Sequence, residues 1–379
     1  MGLDNKRKSQ KQSTCITEVS ITSNPAWKIT NDVPEQALED AAIRIAIQGG
    51  DVIPGRDSPS KDRVLINLRS NVEREIAPSL FAPVASFGEF HVIDREEIES
   101  YRSIRQLLED YLFSAKEGRK ANEKPRSFAV FGPPGSGKSY GITEVAKSVM
   151  AAAEIKSLKD PMVFNLAQFS RAEELSRAFL EVVSETALGN TPLVFFDEFD
   201  CALDGQELGW LRYFLAPLQD GEFFFDGKKQ QIGRALFVFA GGTSFSFRRF
   251  SREEGSTEQE RFRFVQAKGP DFLSRLSGHI DVLGVNRRED SPDQSYLLRR
   301  ALIIRSELRK QGKLGRSDQA LVDVRFIYKL LRVGKFKHGA RSITKLLEMC
   351  IGIDGMLHLP PADQLAMHMD KSDVENLVS

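Results

Sequence analysis

The chain has 379 residues, with 53 lysines and arginines against 53 aspartates and glutamates, so its formal net charge is zero. A balance of this kind offers no overall attraction to polyanions, and nucleic acid as a partner draws no support from it. A hydrophobic share of 41% beside 28% charged residues describes a globular protein with a sizeable core, and no apolar run approaches the roughly 20 residues of a membrane span.

The opening MGLDNKRKSQKQST lacks the apolar stretch of a secretory leader, and Lys6 breaks a myristoylation pattern at Gly2. Cys15, Cys201 and Cys350 are odd in number and far apart. They suit a reducing compartment better than a disulfide framework, so the expectation is a cytoplasmic protein without membrane association. The histidines fall into no metal-ligand spacing.

Residues 1–86 read as a polar tail and a segment that spells no known module. Lys6, Arg7, Lys8 and Lys11 form a small basic cluster. Val33 to Ile47 has helical character, Pro54 to Asp62 is turn and linker chemistry, and Arg63 to Leu68 reads as a short strand. From Phe87 the pattern strengthens. Asp94 is an N-cap candidate, with Glu96 and Glu97 favourable in the first turn. Ile98, Tyr101, Ile104, Leu108 and Tyr111 then recur at helical spacing.

The apolar run Phe128 to Phe131 ends at a loop, GPPGSGKS, with the spacing G-x-x-x-x-G-K-S, and a helix-forming segment follows from Tyr140 to Glu154. Strand, glycine-rich loop and helix in that order make a phosphate cradle. Backbone N–H groups and the helix N-terminus attract an anionic polyphosphate. The candidate ATP-binding residues are therefore Gly132, Pro133, Pro134, Gly135, Ser136, Gly137, Lys138, Ser139 and Tyr140. Lys138 would reach the β- and γ-phosphates, and the Ser139 hydroxyl would ligate Mg²⁺.

Met162 to Ala167 reads as the next strand. Ser170 to Ala187 reads as a helix capped by Ser170, with Glu173 closing a capping box. Leu193 to Phe196 is a fully apolar strand ending in Asp197 and Glu198. Asp197 would hold Mg²⁺ through water, and Glu198 would orient and activate the attacking water. A helix is expected from Gly205 to Leu218, and a hairpin from Phe223 to Gly233 around Asp226-Gly227. The strand Ala235 to Ala240 ends in Gly241, Gly242, Thr243 and Ser244. A polar side chain at that end would face the γ-phosphate or the attacking water; Thr243 is the first choice and Ser244 the second. The stretch Ser244 to Phe264 mixes arginine and phenylalanine, but its glutamates interrupt any basic patch. A short helix with Arg275 and a last strand near His279 to Leu283 follow. After the charged loop Asn286 to Asp293, three segments have apolar residues at helical spacing: Ser295 to Lys310, Asp318 to Arg332 and Ala340 to Ile351.

Alternating strands and helices around a phosphate loop imply an α/β fold, a parallel sheet with helices on both faces. With a small helical lid behind it, the chain resembles the AAA+ ATPases. GPPGSGKS is similar to their Walker A loop and LVFFDEFD to their Walker B segment. The strand ending at Thr243 resembles sensor 1. DFLSRL is similar to the arginine-finger segment of Clp-type ATPases, which implies that role for Arg275. GARSITKLLE is similar to the start of the sensor 2 helix, which implies that role for Arg341.

The resemblance implies three parts: residues 1–86, an ATPase domain over 87–285 and a helical lid over 286–379. It implies ATP and Mg²⁺ as cofactors, with Lys138, Glu198, Arg275, Arg341 and Thr243 as catalytic residues and Ser139 and Asp197 at the metal. It also implies a homo-oligomeric ring, usually of six subunits, that remodels a protein or nucleoprotein target. Val92 and Ile93, just upstream of the loop, are candidates to cover the adenine. Two other readings stay open: an ATP-driven assembly switch or scaffold of a multi-component bacterial system with slow turnover, and a DNA-stimulated motor or loader. In the protein unfoldases that the chain resembles, the pore loop after the second strand carries an aromatic-hydrophobic-glycine tripeptide. NLAQFSRAEE has Phe169 but no glycine.

Overall fold

Five strands form one parallel sheet: β1 (Arg126–Phe131), β2 (Met162–Asn165), β3 (Leu193–Asp197), β4 (Leu236–Ala240) and β5 (His279–Asp281), in the order β5-β1-β4-β3-β2. The computed structural model describes residues 85–88, 90–113, 124–153, 160–288, 295–314, 322–352 and 357–378. It also describes positions 39, 42, 43, 45 and 46 and the backbone of three strands at Val52–Pro54, Arg63–Ile66 and Leu80–Pro83. The basic cluster Lys6 to Lys11, Cys15 and the linker after Pro54 lie outside the described residues.

The strand runs are continuously apolar because successive side chains enter two different cores. Ala129 and Phe131 of β1, Val194 and Phe196 of β3, and Phe237 and Phe239 of β4 point into a phenylalanine-rich layer. Helix α3 (Ala172–Ala187) contributes Leu175, Phe179 and Val182 to it. Phe196 and Phe214 meet edge-on with ring centroids 4.8 Å apart, and Phe214 meets Phe239 at the same distance. Edge-on rings at this spacing add about 1 kcal/mol per pair beyond the area they bury. Phe128, Val130, Phe195 and Val238 point the other way, onto α1 (Arg95–Phe113) and α2 (Lys138–Ala153).

Helix α1 starts as expected: Asp94 accepts from the backbone N–H of Glu96 and of Glu97. Two local expectations change. Helix α3 starts at Ala172, and Glu174, not Glu173, reaches back to the N–H groups of Ser170 and Arg171. No continuous helix spans Gly205 to Leu218. Asp204, Gly205 and Leu208 take left-handed backbone angles, so the chain turns and only then forms a short 3₁₀ turn at Leu211–Phe214 and a helix at Leu215–Gln219. The hairpin pairs Glu222–Phe225 with Lys228–Gln231 through Asp226 and Gly227, both at positive φ, as the twist of a two-residue turn requires.

The C-terminal helices α6 (Tyr296–Lys310), α7 (Val324–Leu331) and α8 (Ala340–Cys350), numbered after the short helices α4 (Glu258–Gln266) and α5 (Gly269–Leu273), share their own apolar cluster. That cluster also takes in Ala42, Ile45 and Ala46, spaced along one helical face. Glu39 accepts two bonds from Arg332, at 3.0 and 2.6 Å, beside them. Residues near position 40 thus pack with helices from the other end of the chain.

Candidate nucleotide site

The C-terminal ends of the parallel strands gather on one edge, where open α/β sheets bind ligands. In the register, Ala240 of β4 pairs with Val130 of β1 on one side and Asp197 of β3 on the other. The loop after β1 and the acidic end of β3 therefore flank β4. Gly132, Gly135 and Gly137 all have positive φ, the backbone angles that let a tight loop curl and that glycine adopts without steric cost. Close approach also demands glycine. A methyl group at Gly132 would stand 2.6 Å from the carbonyl oxygen of Val282, and one at Gly135 would stand 2.7 Å from that of His338.

Lys138 begins α2 and donates to the carbonyl oxygen of Gly132 at 2.8 Å and, more weakly, of Pro133 at 3.4 Å. Burial lowers its pKa, and the carboxylates of Glu198, Asp197 and Asp200 oppose that shift. Burial raises the pKa of Asp197, against the pull of Lys138 and Arg341. Asp197 Oδ1 is buried and has no protein hydrogen-bond partner, and the same holds for Ser136 Oγ in the loop. A buried carboxylate oxygen without a donor is an acceptor in search of a cation or water. The fit to Mg²⁺ is good: that ion takes one or two protein oxygens and completes its shell with phosphate and water. Among the described residues there is no cluster of three acidic, histidine or cysteine ligands that would hold a metal by itself.

Glu198 has φ 56, a left-handed conformation disfavoured by about 1–2 kcal/mol for such a residue. The bend turns its side chain toward β4. Its carboxylate rests on Gly242, where a methyl group would fall 1.4 Å from Oε2. Burial, then the neighbouring Asp200, raises its pKa.

Thr243 does not point a free hydroxyl into the cradle. Its Oγ1 donates to Asp200 at 2.6 Å. Ser244 is buried, and its N–H also donates to Asp200, at 3.0 Å. Arg275 follows helix α5 and donates to the carbonyl oxygen of Asp271 on that helix. Its carbonyl oxygen accepts from Ser127 Oγ at 3.1 Å, near the start of β1 and at the other end of that strand from the loop, whereas the Arg341 charge acts on Lys138, Asp197 and Glu198. Arg341 lies in the first turn of α8, against the loop: its Cγ would be 3.1 Å from a methyl group at Gly135. The structure thus brings Lys138, Asp197, Glu198 and Arg341 together and leaves Arg275 apart.

Val92 and Ile93 are buried on either side of a divide. Val92 belongs to the cluster beneath the sheet, and Ile93 to that of the C-terminal helices. Tyr140 is half-exposed, edge-on to Phe90 at 5.8 Å. Phe169, the aromatic residue after β2, packs edge-on against Trp210 at 6.0 Å. Of the three hairpin phenylalanines, Phe223 is buried and Phe224 is 65% exposed.

Several contributors escaped the sequence reading. Asp200 and Gly242 are two. Asn286 is another: its amide donates to the Phe336 carbonyl oxygen and its oxygen accepts from the Phe336 N–H, both at 2.9 Å. Arg300 is buried and donates to the carbonyl oxygens of Val285, Leu331 and Val333. Burial pulls its pKa down to about 10, still charged at neutral pH. Together they fasten the segment after β5 to the C-terminal helices. Repeated polar-to-backbone contacts of this kind leave no local spacing in the sequence.

Residues 128–210 match the family model "ATPase family associated with various cellular activities (AAA)". The matched segment runs from β1 through the glycine-rich loop to just past the acidic end of β3, and ATP hydrolysis is the general chemistry of the family that the model describes. Among solved structures the chain is similar to the ORC2 protein of Aeropyrum pernix, at 13% identity over 75% of this chain and 68% of that one, with a TM-score of 0.40. It is also similar to Hsp104 of S. cerevisiae, at 16% identity and a TM-score of 0.32, over 69% of this chain but only 45% of the Hsp104 chain. No curated protein sequence matches the chain. Among the described residues no helix is long and apolar enough to cross a membrane.

Proposed function

We propose that this chain hydrolyses ATP at the loop Gly132 to Ser139, as one subunit of a cytoplasmic homo-oligomeric ring of six, and uses the energy to remodel a protein or nucleoprotein. The observation that carries the reading is the convergence of Lys138, Asp197, Glu198 and Arg341 on one glycine cradle. Phosphoryl transfer needs positioning and charge stabilisation more than covalent chemistry by the protein. The backbone N–H groups from Gly135 to Ser139 and the Lys138 ammonium would bind the phosphates. Ser139 and Asp197 would hold Mg²⁺, which when bound offsets phosphate charge. Glu198 would orient the attacking water and take its proton.

Arg341 would add positive charge from the lid in the same subunit. Arg275, which bonds to the Asp271 carbonyl oxygen on its own short helix, would act in the site of a neighbouring subunit. Thr243 would act on the nucleotide through the loop it anchors rather than through its hydroxyl. The experiment is steady-state ATP turnover with and without unfolded protein, DNA and RNA. Glu198→Gln is expected to abolish turnover while ATP binding is kept. Normal hydrolysis by that variant would overturn the assignment.

A further inference from the structure

We propose that Asp200 and Gly242 are positioning residues for Glu198: Asp200 clamps the loop after β4, and the bare Cα of Gly242 is the seat on which the Glu198 carboxylate lies. This inference rests on the ATPase reading above. Asp200 is only 2% exposed and accepts four hydrogen bonds from three consecutive residues. Its Oδ1 takes the N–H of Gly242 at 2.8 Å. Its Oδ2 takes the N–H groups of Thr243 and Ser244, both at 3.0 Å, and the Thr243 hydroxyl at 2.6 Å. Carboxylate–N–H bonds are charge-assisted and roughly twice as strong as neutral ones, so this loop is tied firmly to the end of β3.

The consequence falls on Glu198. A methyl group at Gly242 would stand 1.4 Å from Oε2, 2.3 Å from Cδ and 2.8 Å from Oε1 of that side chain. No side chain larger than hydrogen fits there while the carboxylate keeps its place. Asp200 and Glu198 share one turn, closed by the Cys201 N–H on the Glu198 carbonyl oxygen at 2.9 Å. The same turn therefore presents Glu198 and grips the surface beneath it. A misplacement of about 1 Å in a group that orients a reactant can cost on the order of a hundredfold in rate.

The test compares wild type, Lys138→Ala, Gly242→Ala and Asp200→Asn for ATP turnover, affinity for a fluorescent ATP analogue and thermal unfolding. Gly242→Ala should lower kcat by at least about tenfold while the KM and analogue affinity stay within about twofold, because binding is carried by the phosphate loop and not by Glu198. Asp200→Asn places an amide N–H₂ against N–H donors and should show the same split, with a smaller loss. Gly242→Ala that folds and turns over at the wild-type rate would overturn the proposal. So would equal losses in kcat and affinity, which mark general damage to the site. Should Gly242→Ala fail to fold, Asp200→Asn decides by the same criteria. Absence of turnover in wild type, with Lys138→Ala no different, would remove the ATPase reading and this proposal with it. Turnover in wild type lost in Lys138→Ala but intact in Gly242→Ala removes this proposal alone.

Discussion

Gly339 rests on Pro134: a methyl group at Gly339 would stand 2.4 Å from the Pro134 carbonyl oxygen. The phosphate loop and the residue that caps α8 are thus in backbone contact. Gly339 also has φ 59 and ψ −138, a combination that side chains disfavour. Gly339→Ala should therefore strain the turn by about 1–3 kcal/mol or push α8 and Arg341 off the loop. The expected outcome is a loss of about tenfold in affinity for an ATP analogue, measured by titration. Wild-type affinity in that variant would show that the contact is dispensable.

Arg275 and Lys138 belong to different halves of the proposed composite site. Alone, Arg275→Ala and Lys138→Ala should each be inactive. Mixed in equal amounts, they should regain a fraction of wild-type turnover, because some interfaces then combine an intact loop with an intact arginine. Mixed oligomers that form, as seen by light scattering, yet stay inactive would place Arg275 outside the chemistry.

Tyr111 carries a prediction in pH. It is buried, donates to the Lys124 carbonyl oxygen at 2.8 Å and lies under the guanidinium of Arg234, 4.5 Å from the ring centre. Burial pushes its hydroxyl up to about 12, although both nearby arginines pull the other way. The folded state thus keeps a proton that the unfolded chain loses near pH 10. Its contribution is complete below pH 10 and falls as pH rises toward 12, by about 2–3 kcal/mol in all. Urea denaturation from pH 9 to 11.5 should show that decline, and Tyr111→Phe should reduce it without abolishing it, because burial and the nearby Glu97 also raise the pKa of Tyr101.

Ile45 should behave as a core residue of the C-terminal helices although it lies near the other end of the sequence. It is 5% exposed, beside Ala42 and Ala46. Ile45→Ala should cost about 2 kcal/mol or more in denaturant unfolding. Breaking the Glu39–Arg332 pair, where Arg332 is 46% exposed, should cost less than about 1 kcal/mol. Equal small effects from both would mean that the segment does not pack there.

The parallel sheet and its glycine-rich loop were legible because their signals are local. Phe128 to Phe131 and Leu193 to Phe196 announce strands buried on both faces. The glycine spacing of the loop announces a backbone that must approach an anion, and Asp197-Glu198 stands where an apolar run stops. Asp94 and the hairpin turn were readable for the same reason: a cap or a two-residue turn is settled within a few residues. Gly205 to Leu218 was misread because helical composition says little against three left-handed residues that only the surrounding packing selects.

Proximity across the fold was left to the tertiary structure. Nothing in the spacing of Asp200 and Thr243 says that one carboxylate gathers three N–H groups and a hydroxyl from the other segment. Nothing local says that Gly339 meets Pro134, or that Ala42 and Ile45 join α6 and α8. The sequence by itself determined where the buried strands, the glycine-rich loop and most of the helices lie, since those depend on side-chain chemistry and periodicity along the chain. Which of them meet, and that Thr243 bonds a carboxylate while Glu198 lies on a glycine, depended on strand order and packing. Those arise only when distant segments compete for the same buried space.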